Sequence, residues 1–237
     1  QGPDHHQGRH YARSGTECTA EVAQLLRSVE ADRRWPAQEL VTSTAMQLKD
    51  DGGSRPITLT GTSLYRPWCQ LRKPVVADFD AKKAGHWDSA IKGSSPLRAA
   101  VYRALQLDLA VCREMEATMC LWDFSTFFDT ISIAALIRGG LYLEFHPLLM
   151  LLALQVHMAS RVILVPTHAG TCCSEPILPG EVSIVAGCQF SVSFTRMFLY
   201  SMLDTLTTTY KAFTISTWVD DIVMWCVAAS APDLANY

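Results

Sequence analysis

The sequence has few charged residues and no long hydrophobic run. Charged residues make up 18% of its 237 positions and hydrophobic residues make up 49%, a balance that favours a folded globular chain over a disordered one. Its most apolar segment, 147–156, is much shorter than the roughly 20 residues of a membrane-spanning helix and is interpreted as a buried helix. We therefore expect no membrane partner.

The sequence also lacks the cysteine spacing of a metal site. None of its eight cysteines is separated from another by two residues, the spacing typical of structural zinc sites. A disulfide framework is typical of short secreted chains rather than of a chain this long and apolar. Because a polar first segment stands in place of a signal peptide, we expect reduced thiols in an intracellular protein.

The chain has no net positive charge, which by itself argues against a nucleic-acid partner. The net charge is −3, but residues 1–113 hold 16 of the 20 Lys and Arg residues and 12 of the 23 Asp and Glu residues, whereas residues 114–237 hold 4 and 11. A basic half beside an acidic half is compatible with an enzyme that grips phosphates and binds cations. Ordinary uneven charge explains the same numbers, so the asymmetry carries little weight alone.

Hydrophobic periodicity predicts a mixture of helices and strands. Helices are predicted at 21–32, 97–115, 130–138, 145–158 and 189–206. Strands are predicted at 42–48, 55–60, 117–123, 161–165, 213–219 and 222–227, with a strand–turn–strand pattern in 166–187 and a disordered segment at 1–17. Residues 61–95 show the weakest periodicity. Because strands and helices do not alternate and no repeat occurs, we expect an α+β fold.

Two adjacent aspartates, Asp220 and Asp221, separate two apolar, β-prone runs. Asp-Asp is a poor two-residue hairpin turn compared with Asn-Gly, and like charges repel more strongly near apolar strands. A bound divalent cation would relieve that repulsion. A plain exposed turn, in which aspartate is common, is the simpler alternative.

A third aspartate, Asp123, ends the apolar strand predicted at 117–123, and Asp129 follows six residues later. If this strand ends beside the Asp220–Asp221 turn, three carboxylates converge. Mg²⁺ binds oxygen ligands and keeps several waters, so one or two carboxylates per ion are sufficient. Two such ions about 4 Å apart activate a 3′-hydroxyl and stabilise a leaving pyrophosphate. The pattern therefore favours a phosphoryl-transfer enzyme.

Five segments in order resemble motifs of reverse transcriptases of the non-LTR retrotransposon type. Residues 123–129, Asp-Phe-Ser-Thr-Phe-Phe-Asp, resemble the first palm motif. Residues 218–221, Trp-Val-Asp-Asp, resemble the aromatic-x-Asp-Asp box. Residues 55–59, Arg-Pro-Ile-Thr-Leu, resemble the fingers motif with its Arg-Pro-Ile-x-Leu core. The segments are Lys49 with 55–59, 92–95, 123–129, 186–194 and 218–221.

The resemblance implies an RNA-directed DNA polymerase with a right-hand fold. It implies an N-terminal tail and helix (1–40), a fingers-like region (41–116) and a palm (117–237) whose small antiparallel sheet packs on helices, with the thumb absent. Its implied partners are an RNA template, a DNA primer and deoxynucleoside triphosphates, with two Mg²⁺ or Mn²⁺ ions as cofactors. We expect the full-length protein to contain the thumb and endonuclease domains. We also expect the functional protein to be nuclear.

The resemblance also implies roles for single residues. Asp123 and Asp220 would be the principal metal ligands, Asp221 a weaker one, and the carbonyl of Phe124 could complete a metal shell. Phe128 would crowd the sugar 2′ position and so favour deoxynucleotides. The implied nucleotide-binding residues are Phe124, Phe128, Asp129, Gly187, Gln189, Lys49 and Arg55.

Three positions depart from the family pattern. Ala186 replaces the usual Gln, Val192 the usual Pro, and Trp218 the usual Tyr or Phe. None of them is a metal ligand, but they leave open a second hypothesis, a decayed, inactive retroelement fragment or an RNA-binding polymerase-like scaffold. RNA-dependent RNA polymerases also carry spaced aspartates. That third hypothesis is disfavoured because Val219 replaces their glycine and because Arg55 begins an Arg-Pro-Ile core.

Overall fold

The structure, a computed structural model, describes residue 4, residues 7–48, residue 50 and residues 52–167 and 170–234. Its helices are α1 (Gly8–Arg13), α2 (Thr16–Asp32), α3 (Tyr65–Lys83), α4 (Pro96–Cys112), α5 (Phe127–Thr130), α6 (Ile133–Tyr142), α7 (Pro147–His157), α8 (Ser191–Thr209) and α9 (Ala231–Leu234). Its strands are β1 (Val41–Leu48), β2 (Ser54–Leu59), β3 (Glu116–Trp122), β4 (Ser160–Thr167), β5 (Gly170–Cys173), β6 (Thr214–Trp218) and β7 (Asp221–Ala228). The α+β class predicted from the sequence is confirmed.

The chain forms two compact units, each assembled from two stretches of sequence. The first unit joins Gln1–Val76 to Phe128–Ser191, and the second joins Ala77–Phe127 to Val192–Tyr237. Each unit contains residues from both the fingers range and the palm range that the motifs predict.

The first unit contains a mixed four-stranded sheet in the order β2-β1-β4-β5. The hairpins β1–β2 and β4–β5 are antiparallel, whereas β1 and β4 run parallel, with Val41 opposite Ser160. The strands predicted near 42–48, 55–60 and 161–165 are therefore confirmed. Of the strand–turn–strand pattern predicted for 166–187, the structure shows the β4–β5 hairpin.

Aromatic side chains fill the centre of the first unit. Trp35 meets Tyr65 and Trp68 edge-on, with ring centroids 5.6 Å and 5.4 Å away, and Trp68 stacks on Phe190 at 5.5 Å. The indole N–H of Trp35 donates to the carbonyl of Leu152 at 2.8 Å, so its polar atom is satisfied inside α7. Such rings contribute large apolar areas, and edge-on or offset contacts are their favoured geometry.

The second unit contains an antiparallel three-stranded sheet in the order β3-β7-β6. The strand predicted at 117–123 and the hairpin predicted at 213–227 are both confirmed. Phe194, Met197 and Leu203 of α8 are almost completely buried, as are Val223 and Trp225 of β7. The second unit therefore combines a small antiparallel sheet with helices.

The helices differ from the sequence predictions at two places, and a third helix was not predicted. The weakly periodic region contains α3, which continues through Pro74 because Tyr65, Trp68 and Cys69 bury one face at helical spacing. Helix α6 does not stop at Gly139 but runs through the glycine pair to Tyr142, since a helical glycine costs only about 1 kcal/mol and packing overrides it. The segment expected to be disordered contains α1 and the start of α2.

Across the described residues, none of the helices has both the length and the hydropathy of a membrane-spanning segment.

Candidate active site

The second unit brings the first predicted carboxylate next to the other two. Strands β3 and β7 are antiparallel neighbours, and their last pair joins Trp122 to Ile222. One position further, the register places Asp123 opposite Asp221, and opposite residues on such strands have Cβ atoms about 5 Å apart. Carboxylates that are more than 90 positions apart in sequence therefore lie at the same end of the sheet.

The turn between β6 and β7 lies one residue earlier than the sequence predicts. Trp218 pairs with Asp221, so the two turn residues are Val219 and Asp220, and Asp221 already belongs to β7. Val219 has a φ of 59°, whereas Asp220 has no positive φ, which is the sign pattern of a type II′ turn. Glycine is favoured at that first position, and a β-branched residue there is strained. Strain of this kind is concentrated at functional sites.

The three carboxylates interact electrostatically. The pKa of Asp221 is raised by partial burial and by the negative charges of Asp220 and Asp123. Arg103 of α4 acts in the opposite direction and lowers this pKa. The repulsion is thus only partly relieved by the protein, which leaves a negative potential suited to a cation.

Arg103 is a site residue that sequence analysis missed. It belongs to α4, whose apolar periodicity gave no reason to single out one arginine, and α4 lies against β3. In the described part of the chain, its Nη1 atom is buried without a hydrogen-bond partner. A guanidinium with an unused buried donor beside carboxylates is suited to an anionic oxygen, such as one of phosphate.

Aromatic contacts anchor the segment after Asp123. The ring of Phe124 lies 5.7 Å from that of Phe127, and Phe127 lies 6.2 Å from Phe198 of α8. Phe127 is buried, whereas Phe124 is 39% exposed. The segment that begins at Asp123 is therefore attached to α8, which fixes where this carboxylate emerges.

The donor set fits a hard divalent cation, although it does not form a complete cage. In the part of the chain that the structure describes, no group of three or more His, Cys, Asp or Glu side chains is arranged to hold a metal ion. Mg²⁺ needs only one or two carboxylates when waters and substrate phosphates supply the other oxygens. Asp123 and Asp221, with Asp220 in the adjoining turn, provide oxygen ligands of that kind. Metal binding by them stays a prediction.

Phe128 and Asp129 belong to the first unit, which contains a cavity of about 460 Å³. Asp129 lines this cavity, accepts a hydrogen bond from the Ser183 hydroxyl at 3.0 Å and lies 3.9 Å from Arg161. The carbonyl of Phe128 accepts a hydrogen bond from the N–H of Ile184 at 2.9 Å. Nothing in the sequence singles out Arg161, because its contact with Asp129 exists only in the folded chain.

The remaining predicted residues of the first unit are exposed. Gly187 has a φ of 85°, a conformation that glycine adopts readily, so the turn before α8 requires it. Gln189 lines a second cavity of about 260 Å³ beside Lys73, and Arg55 lies on β2 opposite Gln47. Lys49 lies outside the described residues. Nucleotide binding by this set stays a prediction.

Comparison with known proteins shows a likeness of structure only. No family model and no curated sequence matches the chain. Among solved structures, apo telomerase from Candida tropicalis truncated from its C-terminal domain matches with a TM-score of 0.52 and 12% identity, covering 84% of this chain and 45% of that one. Telomerase from Candida albicans in complex with the TWJ fragment of telomeric RNA matches at 0.54 and 13%, covering 85% and 40%. A further structure of apo telomerase from Candida tropicalis matches with a TM-score of 0.53 and 11% identity, covering 93% of this chain and 45% of that one.

The chain has a reverse-transcriptase-like polymerase fold. The likeness covers most of the chain but less than half of each telomerase. At this identity it shows the fold and not the activity. It does not show that the chain comes from a retrotransposon. The Candida albicans telomerase is in complex with a fragment of telomeric RNA.

Proposed function

We propose that the chain is the catalytic core of an RNA-directed DNA polymerase that joins nucleotides by two-metal-ion transfer. The observation that carries this proposal is the convergence of Asp123 with Asp220 and Asp221 at one end of the β3-β7-β6 sheet. The reverse-transcriptase-like fold also supports it. Phosphoryl transfer depends mainly on positioning and on neutralising charge, and carboxylates that bind cations contribute to both.

The three carboxylates would have different roles in metal binding. Asp123 and Asp220 would hold the cations most directly, Asp221 would add negative charge, and the Phe124 carbonyl would supply one more oxygen. When bound, the two cations would activate the primer 3′-hydroxyl and stabilise the departing pyrophosphate. Arg103, with its buried Nη1, would attract the negatively charged triphosphate.

The resemblance to reverse transcriptases supports further contacts to the nucleotide. Phe128 would exclude a ribose 2′-hydroxyl, Gly187 would allow close approach of the backbone, and Arg55 would contact the template or triphosphate. The substrates would be an RNA template, a DNA primer and deoxynucleoside triphosphates. The five motifs in order support an origin in a non-LTR retrotransposon, with thumb and endonuclease domains elsewhere in the full-length protein.

Primer extension tests the proposal. A DNA primer annealed to RNA is incubated with the chain, Mg²⁺ or Mn²⁺, and either deoxynucleotides or ribonucleotides. We expect extension with deoxynucleotides and a loss of at least about a hundredfold in Asp220→Asn, because that change removes charge stabilisation of the transition state. The Asp204→Asn variant is the control. Extension with ribonucleotides alone, or equal activity in both variants, would contradict the proposal.

A second candidate function is an RNA-binding scaffold that does not copy its template. Ala186 and Val192 favour it, because they replace the residues that the family uses next to the nucleotide. Under this alternative the chain retards RNA in a mobility assay but leaves every primer unextended with either metal. Its RNA affinity is then the same in Asp220→Asn.

A further inference from the structure

Residues 87–90 lie beside β6 like a short added strand. The N–H of Thr217 donates to the carbonyl of Trp87 at 2.8 Å, and the N–H of Ser89 donates to the carbonyl of Thr217 at 2.9 Å. Asp88 and Thr217 thereby form a parallel bridge. Because Thr217 lies three positions before the first carboxylate of the turn, these bonds act on the strand that carries the candidate site.

Arg196 of α8 binds the same segment through its side chain. Its Nε donates to the Asp88 carboxylate at 2.5 Å, and its Nη2 donates to the Ala90 carbonyl at 3.3 Å. The other oxygen of Asp88 accepts the N–H of Ala90 at 2.8 Å. The side chains of Arg196 and Asp88 are only 5% and 8% exposed, so solvent ions screen this pair weakly. The segment cannot move without breaking a buried ion pair.

Arg196 has a second acidic partner that serves as an internal comparison. Its Nη1 forms an ion pair with Asp80 of α3, whose other oxygen accepts a hydrogen bond from the Ser193 hydroxyl at 3.0 Å. These contacts join α3 to α8, and none of them reaches β6. Asp80 and Asp88 therefore neutralise the same guanidinium, but only Asp88 belongs to the segment paired with β6.

A cavity of about 20 Å³ lies where this arrangement meets the turn. Asp88, Arg196, Thr217 and Val219 are among the residues that line it. Val219 is the residue with a φ of 59°. A strained backbone persists only where its surroundings over-determine it, and these surroundings include the Arg196–Asp88 pair.

We propose that Arg196 and Asp88 are positioning residues that fix the Val219–Asp220 turn, and thereby the Asp220 carboxylate, in the geometry that binds the divalent cation. The inference rests on the proposed function. The pair acts through the 87–90 segment and β6, as residues outside a metal's ligand set commonly do when they orient the ligands.

Terbium luminescence tests this inference without requiring polymerase activity. Tb³⁺ binds oxygen ligands as a stand-in for Mg²⁺ and is sensitised by nearby indoles, here Trp122 and Trp218. Asp88→Asn removes the charge and leaves one of two donors, the Nε–H of Arg196 or the N–H of Ala90, facing an amide NH2 group. Asp80→Asn removes the same charge away from β6. We expect Asp88→Asn to weaken Tb³⁺ binding about tenfold and Asp80→Asn to change it less than about twofold, with melting temperatures recorded for both.

The outcomes separate this inference from the function on which it rests. Equal Tb³⁺ affinities in Asp80→Asn and Asp88→Asn overturn the positioning role while leaving the metal site intact. Equal affinities in the wild type and Asp123→Asn overturn the metal site and the positioning role together. If Asp88→Asn does not fold, Ser89→Ala replaces it, because the Ser89 hydroxyl bonds that of Ser216 in β6 at 2.9 Å. Its expected effect is about two- to fivefold, and no effect overturns the inference.

Discussion

Both compact units bury aromatic and aliphatic side chains, but they differ in what else lies at their centres. The first is centred on aromatic rings, and Trp35 is 1% exposed with its indole N–H satisfied. The second buries a guanidinium, Arg196, between carboxylates, and the apolar face of its helix α4 stays exposed, with Leu97 at 73% and Leu105 at 53%. Those leucines are eight positions apart, which puts them on one helical face, and that face is not in the core.

The difference indicates a division between stability and chemistry. Aromatic burial contributes several kcal/mol per ring, whereas a buried ion pair adds little net stability and mainly fixes geometry. The second unit also has a strained turn at Val219 and repulsion between Asp221 and its acidic neighbours. We infer that the second unit is less stable than it could be because it holds three carboxylates close together at one end of its sheet.

The largest expected effect is on the aromatic core. Trp35→Ala should lower the free energy of unfolding by about 3–5 kcal/mol, because it opens a cavity and removes large apolar contacts. Leu97→Ala, on the exposed face of α4, should change it by less than about 0.5 kcal/mol. Urea unfolding followed by circular dichroism measures both. Comparable losses would contradict the burial of Trp35 in an aromatic core.

The next effect concerns the carboxylates. Asp123→Asn should weaken the affinity for Mn²⁺ about tenfold to a hundredfold, because it removes a charged oxygen ligand. Titration calorimetry measures this affinity, and Asp108→Asn on the exposed side of α4 is the matched control. If both variants bind Mn²⁺ equally, the Asp123 carboxylate has no role in binding cations.

A smaller effect is expected at the strained turn. Val219→Gly should stabilise the metal-free chain by about 0.5–1 kcal/mol, since the left-handed conformation costs a non-glycine residue about 1–2 kcal/mol and glycine loses part of that gain as entropy. Val219→Ala keeps the conformational strain and should show no such gain. Thermal unfolding compares the three proteins, and a destabilised glycine variant would show that the turn is not strained.

The smallest effect is electrostatic. The folded state raises the pKa of Asp221 through burial and the charges of Asp220 and Asp123, so the folded chain binds this proton more tightly than the unfolded chain does. Asp221→Asn should therefore be more stable than the wild type at pH 7, by no more than about 0.3 kcal/mol because the group is mostly exposed. As the pH falls through the raised pKa, the wild type gains stability and the difference should shrink. Unfolding at low salt across this range measures it, and a difference that grows on acidification would reverse the sign.

Local patterns in the sequence predict the elements that carry the carboxylates. The strand before Asp123 and the strands flanking Asp220 are short, apolar and rich in β-formers, so their type and pairing follow from pattern and turn position. The turn was misplaced by one residue because a β-branched residue such as Val219 is rarely found at a positive φ.

The supporting contacts could not be read from the sequence. Arg196 and Asp88 lie 108 positions apart, and nothing in the local pattern of either links them. Arg103 looks like any solvated helical arginine until α4 packs against β3. Helix α3 was missed because Pro74 usually ends a helix, although Tyr65, Trp68 and Cys69 bury one face.

Anomalous diffraction from crystals of the chain soaked in Mn²⁺ tests the central claim most directly. The account predicts a manganese peak within about 2.2 Å of carboxylate oxygens from Asp123 and from the Asp220–Asp221 pair. That peak should be absent from Asp123→Asn crystals soaked in the same way. A wild-type map with no peak there, or with manganese bound only elsewhere, would contradict the claim that these three aspartates form a catalytic metal centre.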